Sequence, residues 1–255
     1  MTARKLKKKP NLSLPVARAF LRYLKPPSLR HLPIWHQALV WGARIFAIKV
    51  GFFGSFILLF IFLNPPGNIY MTQENWRLGG ISQTWAPFDT IAPVMARAIV
   101  AAEDANYCLH WGFDMKAIRQ ALAKGGMRGA STVSQQVVKN VLLWPDRSWL
   151  RKAFEATLTP AIELFWSKRR ILELYMNIAE FDTGVFGVEA ASQHYFGISA
   201  GRLSALQAAR LAAVLPNPKE RNAAKPTNFL RKRTAQIIQG AETINQDGRA
   251  ACFQN

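Results

Sequence analysis

The stretch EDANYCLHWG, Glu103 to Gly112, decides how the rest of the chain is interpreted. It begins with two adjacent carboxylates, and further along the chain come a polar segment, Gly129 to Gln136, and a cation and an acid, Arg151 and Glu155. Carboxylates on separate elements can face each other across a cleft, where one takes a proton while cations hold a departing anion. The order of these residues therefore predicts a catalytic site.

The segments around this stretch have the signals of helices. Asp114 is typical of an N-cap before an apolar helix face. Thr132 and Gln135 have the spacing of a capping box, and Ser204 with Gln207 opens a later helix. Strand-like alternation of apolar and polar residues is scarce. The predicted fold class is therefore mostly α.

One long helical stretch is predicted from Ser148 to Phe181, with a kink at Pro160 because proline removes a helix hydrogen bond. A second section of it begins at Ser167. Arg151 and Glu155 lie four residues apart on the first section, and a helix-stabilising pair at that spacing contributes only about 0.2–0.5 kcal/mol. A catalytic and a purely structural interpretation of these two residues both stay open.

Positive charge is concentrated at the N-terminus. The first acidic residue is Glu74, and the residues before it hold 11 of the 33 Lys and Arg residues and none of the 15 Asp and Glu residues. The remaining 22 basic and 15 acidic residues leave only +7 of the formal +18. A nucleic-acid partner is therefore not expected, and the basic leader is interpreted as an orientation signal with affinity for anionic lipid.

An apolar span follows the basic leader from Ile45 to Leu63, broken only by Lys49. A membrane helix needs about 20 such residues. A cleaved signal peptide is the alternative, but its apolar core would lie nearer Met1 and precede a site of small residues. We predict a basic cytoplasmic segment at 1–44, a transmembrane helix at 45–64, a catalytic domain at 65–245 and a C-terminal tail at 246–255.

The two cysteines, Cys108 and Cys252, match neither a metal-binding pattern nor a dense disulfide framework. Pairing in an oxidising compartment is the alternative. Cys108, however, lies inside the candidate catalytic stretch, and Cys252 lies among the last four residues. We therefore predict two unpaired thiols.

The region from Met71 to Thr234 resembles the peptidoglycan glycosyltransferase family, and specifically its monofunctional, membrane-anchored biosynthetic transglycosylases. Five family motifs occur in order. They are EDxxFxxHxG from Glu103, G(G/A)STxxQQxxKN from Gly129, RKxxE from Arg151, KxxILExYxN from Lys168 and an AAxLP-type segment from Ala208. Three positions depart from the commoner Phe, Thr and Leu but keep their approximate size and character: Tyr107, Ser134 and Met176.

The resemblance implies a lysozyme-like helical domain with a smaller membrane-facing lobe. It implies polymerisation of lipid II, a disaccharide-peptide on undecaprenyl diphosphate, by transfer of the growing chain to the GlcNAc 4-hydroxyl of lipid II with inversion. The expected partners are lipid II, the nascent glycan strand, membrane lipids and proteins of cell-wall synthesis or division. The expected location is the inner membrane, with the catalytic domain in the periplasm. A glycan-cleaving muramidase or lytic enzyme and an inactive membrane scaffold are the alternatives.

The resemblance also assigns roles to residues. Glu103 is similar in position to the catalytic base. Glu155 is similar to a second carboxylate that orients the cations or the donor, with a share in holding a divalent metal ion as a further role. Asp104 is a candidate ligand for a divalent metal ion, Mg²⁺ or Mn²⁺, and no organic cofactor is expected. His110 is expected to be structural. Five residues are expected to hold the diphosphate or to lie beside it: Ser131, Gln136, Lys139, Arg147 and Arg151. Solvated surface charge is the alternative for Lys139 and Arg147.

Overall fold

The apolar span lies within one long helix. The computed structural model describes residues 33–123, 125, 131–146 and 148–254. The chain divides into two units, residues 1–52 and 53–255, and helix α1, Ile34–Phe62, begins in the first and ends in the second. Among the described residues, α1 alone is long and apolar enough to cross a membrane. It begins at Ile34, well before the predicted span, and agrees with the predicted membrane anchor.

The described part of the second unit is mostly helical, as predicted. After α1, its α-helices are α2 Ile69–Leu78, α3 Pro93–Glu103, α4 Met115–Ala123, α5 Val133–Val137, α6 Trp149–Phe165, α7 Lys168–Ile178, α8 Val188–Phe196, α9 Ala205–Val214, α10 Asn228–Gln246 and α11 Ala251–Gln254. Short 3₁₀ helices occupy Phe88–Thr90, Tyr107–Leu109 and Ala200–Arg202, and a π-helical turn, Val138–Leu142, follows α5 directly.

A small sheet accompanies these helices. Its strands are β1 Ser82–Gln83, β2 Glu180–Asp182 and β3 Val185–Phe186, in the spatial order β1-β3-β2. Strand β3 pairs parallel to β1 and antiparallel to β2. Asn177 near the end of α7 ties this sheet region to the helices, because its side chain accepts from the Ala86 amide at 2.7 Å and donates to the Ala86 carbonyl at 2.9 Å.

Helices α3, α9 and α10 pack against one another in the core. Gly240 of α10 allows a close approach to α3, since a Cβ atom at this position would lie 3.3 Å from the Cβ of Ala101. Met95 and Ile99 of α3 are fully buried in this packing. The packing fixes the C-terminal end of α3, and that end carries Glu103.

The helix starts predicted from the sequence are confirmed. Asp114 accepts a hydrogen bond from the Ala117 amide at 2.9 Å, one turn into α4. Thr132 and Gln135 form the predicted capping box at α5. Ser204 begins α9 with a capping box of its own. In each case a side chain satisfies an amide that the first helical turn leaves without a partner.

The stretch predicted as one helix from Ser148 to Phe181 is two helices. Pro160 lies inside α6, and the helix is interrupted after Phe165. The Trp166 indole donates to the Ile57 carbonyl at 2.7 Å, and Ser167 then caps α7 through the Arg170 amide at 3.1 Å. Helix α7 ends at Ile178, since the chain turns there into β2.

The prediction of two unpaired thiols was wrong. Cys108 and Cys252 form a disulfide that joins positions 144 residues apart, with their Cα atoms 5.6 Å apart. Helix α11 carries Cys252 back to the 3₁₀ helix that contains Cys108. Phe253 is fully buried there, with its ring centroid 6.3 Å from that of Tyr107. The C-terminal helix therefore packs against the candidate catalytic stretch.

Candidate active site

Glu103, the last residue of α3, lines a cleft of about 230 Å³ that we call the base cleft; Ser131, Asp104 and Thr132 also line it. The Gln136 amide nitrogen donates to Glu103 Oε2 at 2.8 Å. Burial raises the pKa of Glu103, and the hydrogen bond from Gln136 opposes this rise. A carboxylate with a raised pKa that faces a cleft suits a general base.

Asp104 is buried beside Glu103, and both of its carboxylate oxygens have partners. Oδ1 lies 2.8 Å from His110 Nε2, and Oδ2 accepts from the Val133 amide at 3.0 Å. These contacts fasten the catalytic stretch to the first residue of α5. The contact with Asp104 agrees with the structural role predicted for His110.

The predicted metal ion receives no support from these contacts. Both oxygens of Asp104 already accept from the protein. The described residues contain no group of three or more His, Cys, Asp or Glu side chains that could hold a metal ion. The residues present do not fit a metal ion at this position, and no step of the reaction is assigned to one. Asp104 as a ligand stays a prediction.

Two cations of the predicted set, Lys139 and Arg151, line a second cavity of about 250 Å³, which we call the cation cavity. Lys139 comes from the π-helical turn and Arg151 from the first turn of α6. Arg151 is 9% exposed, and its Nε and Nη1 atoms make no hydrogen bond with any residue that the structure describes. Buried guanidinium donors without partners suit an anionic ligand.

Lys139 adds a second, half-buried charge to this cavity. Burial lowers the pKa of Lys139, and the nearby Glu155 carboxylate opposes this change. The Glu103 carboxylate also favours the charged form of Lys139, so the base cleft and the cation cavity influence each other electrostatically. The solvated-surface alternative for Lys139 is therefore wrong.

Glu155 is buried in α6 and does not pair with Arg151. Its Oε1 accepts from the Gln135 amide nitrogen at 3.2 Å and forms an ion pair with Lys152. The alternative in which Arg151 and Glu155 form a helix-stabilising pair is therefore wrong. Glu155 instead joins α6 to α5 and acts on Lys139 through its charge.

The structure groups the predicted residues into these two regions. Ser131 is exposed at the base cleft, and Gln136 lies between Glu103 and Tyr175, whose hydroxyl donates to the Gln136 side chain at 3.4 Å. Gln136 and Lys139 lie one turn apart on the helix that passes from the base cleft to the cation cavity. Arg147 lies outside the described residues.

Sequence reasoning missed Arg233 of α10. Its Nη2 donates to the Ala102 carbonyl at 3.0 Å, next to Glu103 in the chain. Its positive charge lowers the pKa of Glu103 and so opposes the effect of burial. Arg233 lies in none of the five motifs and follows two other basic residues, Arg231 and Lys232. The sequence does not show which of the three faces α3.

Comparisons with known proteins point in one direction. The sequence profile of a family described as Transglycosylase matches residues 72–242, a range that contains all five motifs. A biosynthetic peptidoglycan transglycosylase of Jannaschia sp. is 58% identical over 199 residues, which cover 78% of this chain and 83% of the relative. Proteins with the same name from Caulobacter vibrioides and Citrobacter koseri are 44% identical over 200 residues and 48% identical over 207 residues. These matches cover 77% and 76% of this chain, and 87% and 86% of the two relatives.

Proposed function

The chain belongs to the transglycosylase family, and on that premise we propose that it polymerises lipid II with Glu103 as general base and with Lys139 and Arg151 as diphosphate-binding residues. The family and its relatives support the activity, which is glycan strand polymerisation in cell-wall synthesis. The observation that carries the residue assignment is the Arg151 guanidinium, buried beside Lys139 with donors that have no partner among the described residues.

The reaction joins the 4-hydroxyl oxygen of the GlcNAc in lipid II to the anomeric carbon of the MurNAc at the reducing end of the growing strand. Glu103 takes the hydroxyl proton as the oxygen attacks. Burial makes Glu103 a stronger base, since it raises the pKa, and Gln136 fixes the position of Oε2. The bond from the anomeric carbon to the diphosphate oxygen breaks with inversion, and its electron pair leaves with the diphosphate.

The leaving diphosphate gains negative charge as this bond breaks. Fixed cations lower the barrier when they are aimed at that developing charge. Arg151 supplies two donor nitrogens that have no partner among the described residues, and Lys139 supplies a compact charge. By the family resemblance, Arg147 is expected to add a third cation at the diphosphate, and Ser131 to be a polar neighbour of these contacts.

Glu155 acts as a positioning residue in this scheme. Its carboxylate accepts hydrogen bonds from Gln135 and Lys152, and these contacts fix its position in the fold. From that place it favours the protonated form of Lys139 against the effect of burial. Replacement of Glu155 by Gln should therefore move the alkaline limb of the pH–rate profile to lower pH. An unchanged alkaline limb would show that Glu155 does not act through Lys139.

The two alternatives explain the cation cavity less well. A glycan-cleaving enzyme also uses carboxylates in a helical fold, but its leaving group is a sugar hydroxyl rather than a diphosphate. A scaffold without activity has no use for a buried guanidinium whose donors lack partners, because such a group destabilises the fold. The cavity therefore favours transfer from a lipid diphosphate.

The same proposal places the anchor in the inner membrane, the basic leader in the cytoplasm and the catalytic domain in the periplasm. The excess of Lys and Arg before α1 supports this orientation. The Cys108–Cys252 disulfide supports it independently, since disulfides persist in oxidising compartments such as the periplasm. Lipid II and the nascent strand are the expected substrates there, and proteins of cell-wall synthesis or division the expected partners.

The test is the incorporation of labelled lipid II into polymer by the full-length protein in detergent. Wild type should form a polymer that a muramidase digests. Glu103→Gln should lower the rate by about 10²–10⁴, the usual contribution of a general base. Glu242→Gln, at an exposed position of α10, is the matched control and should keep the rate.

Three outcomes separate the candidate functions. Equal polymerisation by Glu103→Gln and wild type would remove Glu103 as the base while leaving the enzyme class intact. Failure of the folded wild type to polymerise, with cleavage of an added glycan, would favour the hydrolase. Failure in both assays would favour the scaffold.

A further inference from the structure

A third cavity, of about 430 Å³, shares no lining residue with the base cleft or the cation cavity. Three different helices contribute its long polar side chains, with Arg97 from α3, Arg169 from α7 and Gln254 from α11. Phe88 and Asp89 of a 3₁₀ helix complete its polar and aromatic wall. None of these residues has a part in the proposed reaction.

Most of the polar groups in this cavity are hydrogen-bond donors. Arg97 is half-buried, and its side chain forms no hydrogen bond or ion pair with the part of the chain that the structure describes. Gln254 Nε2 is buried and likewise has no partner there. Arg169 donates to the Phe253 carbonyl at 3.3 Å and pairs with Asp89, whose side chain is 87% exposed at the rim. Among the described lining residues, two guanidinium groups against one carboxylate give a net charge of +1.

Hydrogen bonds connect this cavity to the end of the apolar helix. Arg170 donates to the Phe60 carbonyl at 3.1 Å and to the Leu63 carbonyl at 2.7 Å, at the point where α1 ends. Its Nη1 pairs with Glu173 at 2.8 Å, and the other oxygen of Glu173 accepts from the Phe88 amide at 3.2 Å. Phe88 lines the cavity. The cavity therefore lies beside the place where the chain leaves the bilayer and the lipid headgroups begin.

We propose that this cavity, here named the headgroup cavity, binds the phosphate group of an anionic phospholipid. Phosphate oxygens accept hydrogen bonds, and guanidinium groups match their geometry with paired N–H donors. Gln254 supplies a buried donor that has no partner among the described residues, and Arg97 supplies a guanidinium that lines the cavity. The net positive charge favours a headgroup with net negative charge over a zwitterionic one.

The test measures thermal unfolding of the full-length protein in neutral detergent, without lipid II, as phosphatidylglycerol is added. The unfolding midpoint of wild type should rise with phosphatidylglycerol, since a ligand that binds the folded state stabilises it. It should rise much less with phosphatidylcholine. Inorganic phosphate at the same phosphate concentration should not reproduce the rise, because it lacks the acyl chains that hold the headgroup at this level.

Two variants address the cavity itself. Arg97→Gln should raise the phosphatidylglycerol concentration that gives half of the shift by about tenfold, since it removes a charge-assisted hydrogen bond. Gln254→Leu changes no charge and should also raise that concentration. If Arg97→Gln fails to fold, the Gln254→Leu variant still tests the proposal.

Two further variants serve as controls. Arg202→Gln removes the same charge at an exposed position outside the cavity and should respond to phosphatidylglycerol as wild type does. Lys139→Gln should also respond as wild type does, because the cation cavity is a separate site. A wild-type response in both Arg97→Gln and Gln254→Leu would overturn the proposal. So would an equal loss in Arg202→Gln, or a full shift from inorganic phosphate alone.

Discussion

The base cleft and the cation cavity are joined by one run of helix, yet the protein treats their charged groups in opposite ways. In the base cleft, Gln136 donates to Glu103, and His110 and the Val133 amide hold Asp104. In the cation cavity, the buried Nε and Nη1 of Arg151 have no partner among the described residues. Among the described residues, the acids thus have protein partners while Arg151 has unpaired donors, an arrangement that suits an anion arriving with the substrate. Substitutions in the cation cavity should mainly change activity, and those around the base cleft should also change stability.

Among the substitutions that test this comparison, Lys139→Gln should show the largest effect. We expect the maximal polymerisation rate to fall by about 10²–10³, since a group that stabilises developing charge contributes about this factor. The unfolding midpoint should stay the same or rise, because the change removes a buried charge. Lipid II polymerisation and thermal unfolding of the same preparation measure the two effects.

The exposed Lys232 of α10 offers a matched control, since Lys232→Gln removes the same charge from the surface. It should leave both the rate and the unfolding midpoint unchanged. A large fall in the midpoint of Lys139→Gln would contradict the comparison, because it would mean that Lys139 stabilises the fold through a protein partner.

Loss of the disulfide should have the next largest effect. It tests the base-cleft half of the comparison, because Cys108 lies in the stretch that begins at Glu103. Cys252→Ser should lower the free energy of unfolding by about 2–4 kcal/mol, measured with denaturant under non-reducing conditions. The bond closes a long loop and fastens α11 to the stretch that begins at Glu103. Cys108→Ser breaks the same bond and should lower the free energy by a similar amount, with no further loss in the double variant. Additive losses would show that the two thiols stabilise the fold separately.

Local signals in the sequence predicted the helix starts around the site well. Asp114, Thr132 and Ser204 each cap a helix by accepting a hydrogen bond from an amide three residues ahead. Such contacts depend only on neighbouring residues, so the sequence contains all the information that they need. The motif order likewise led to the correct family, because it records spacing along one chain.

Contacts between distant elements were not predictable in the same way. The partner of Cys108 lies 144 positions away and is brought near by the packing of α11. The spacing of Arg151 and Glu155 left a helix pair open as an alternative, but the Glu155 carboxylate accepts from Gln135 of α5 and pairs with Lys152 instead. Arg233 reaches α3 from outside every motif. In each case a partner from elsewhere in the fold decides the outcome, and local spacing does not identify it.

Asp104→Asn should have a smaller effect than loss of the disulfide. The substitution weakens the contacts with His110 and the Val133 amide, so we expect the free energy of unfolding to fall by about 1.5–3 kcal/mol. Chemical denaturation of the two proteins measures the difference. Asp146→Asn, at an exposed position, should leave the free energy of unfolding unchanged.

The same pair of proteins tests the metal prediction. If Mg²⁺ or Mn²⁺ raises the unfolding midpoint of wild type but not of Asp104→Asn, Asp104 binds metal despite its two protein partners. We expect no difference between the two proteins, since both oxygens of Asp104 are already engaged. An unchanged free energy of unfolding in Asp104→Asn would contradict the view that this carboxylate braces the base cleft.

Gln136→Leu should have the smallest effect and tests the link between the two regions. Glu103 acts as a base only when it is deprotonated, so its pKa sets the acid limb of the pH–rate profile. Gln136 donates to the charged carboxylate and lowers this pKa against the effect of burial. Without that hydrogen bond, which contributes about 1 kcal/mol, the acid limb should move to higher pH. Gln136→Leu should therefore be slower than wild type at low pH and should approach the wild-type rate as the pH is raised.

The control for this prediction is Tyr175→Phe, because Gln136→Leu also removes the acceptor of the Tyr175 hydroxyl. Tyr175→Phe leaves the Gln136–Glu103 hydrogen bond in place, so its acid limb should stay close to that of wild type. A rate that falls equally at every pH in Gln136→Leu would mean that Gln136 positions the substrate rather than the base. A stationary limb in Gln136→Leu would also remove Gln136 from the set of groups that tune Glu103, leaving Lys139 and Arg233 to oppose burial there.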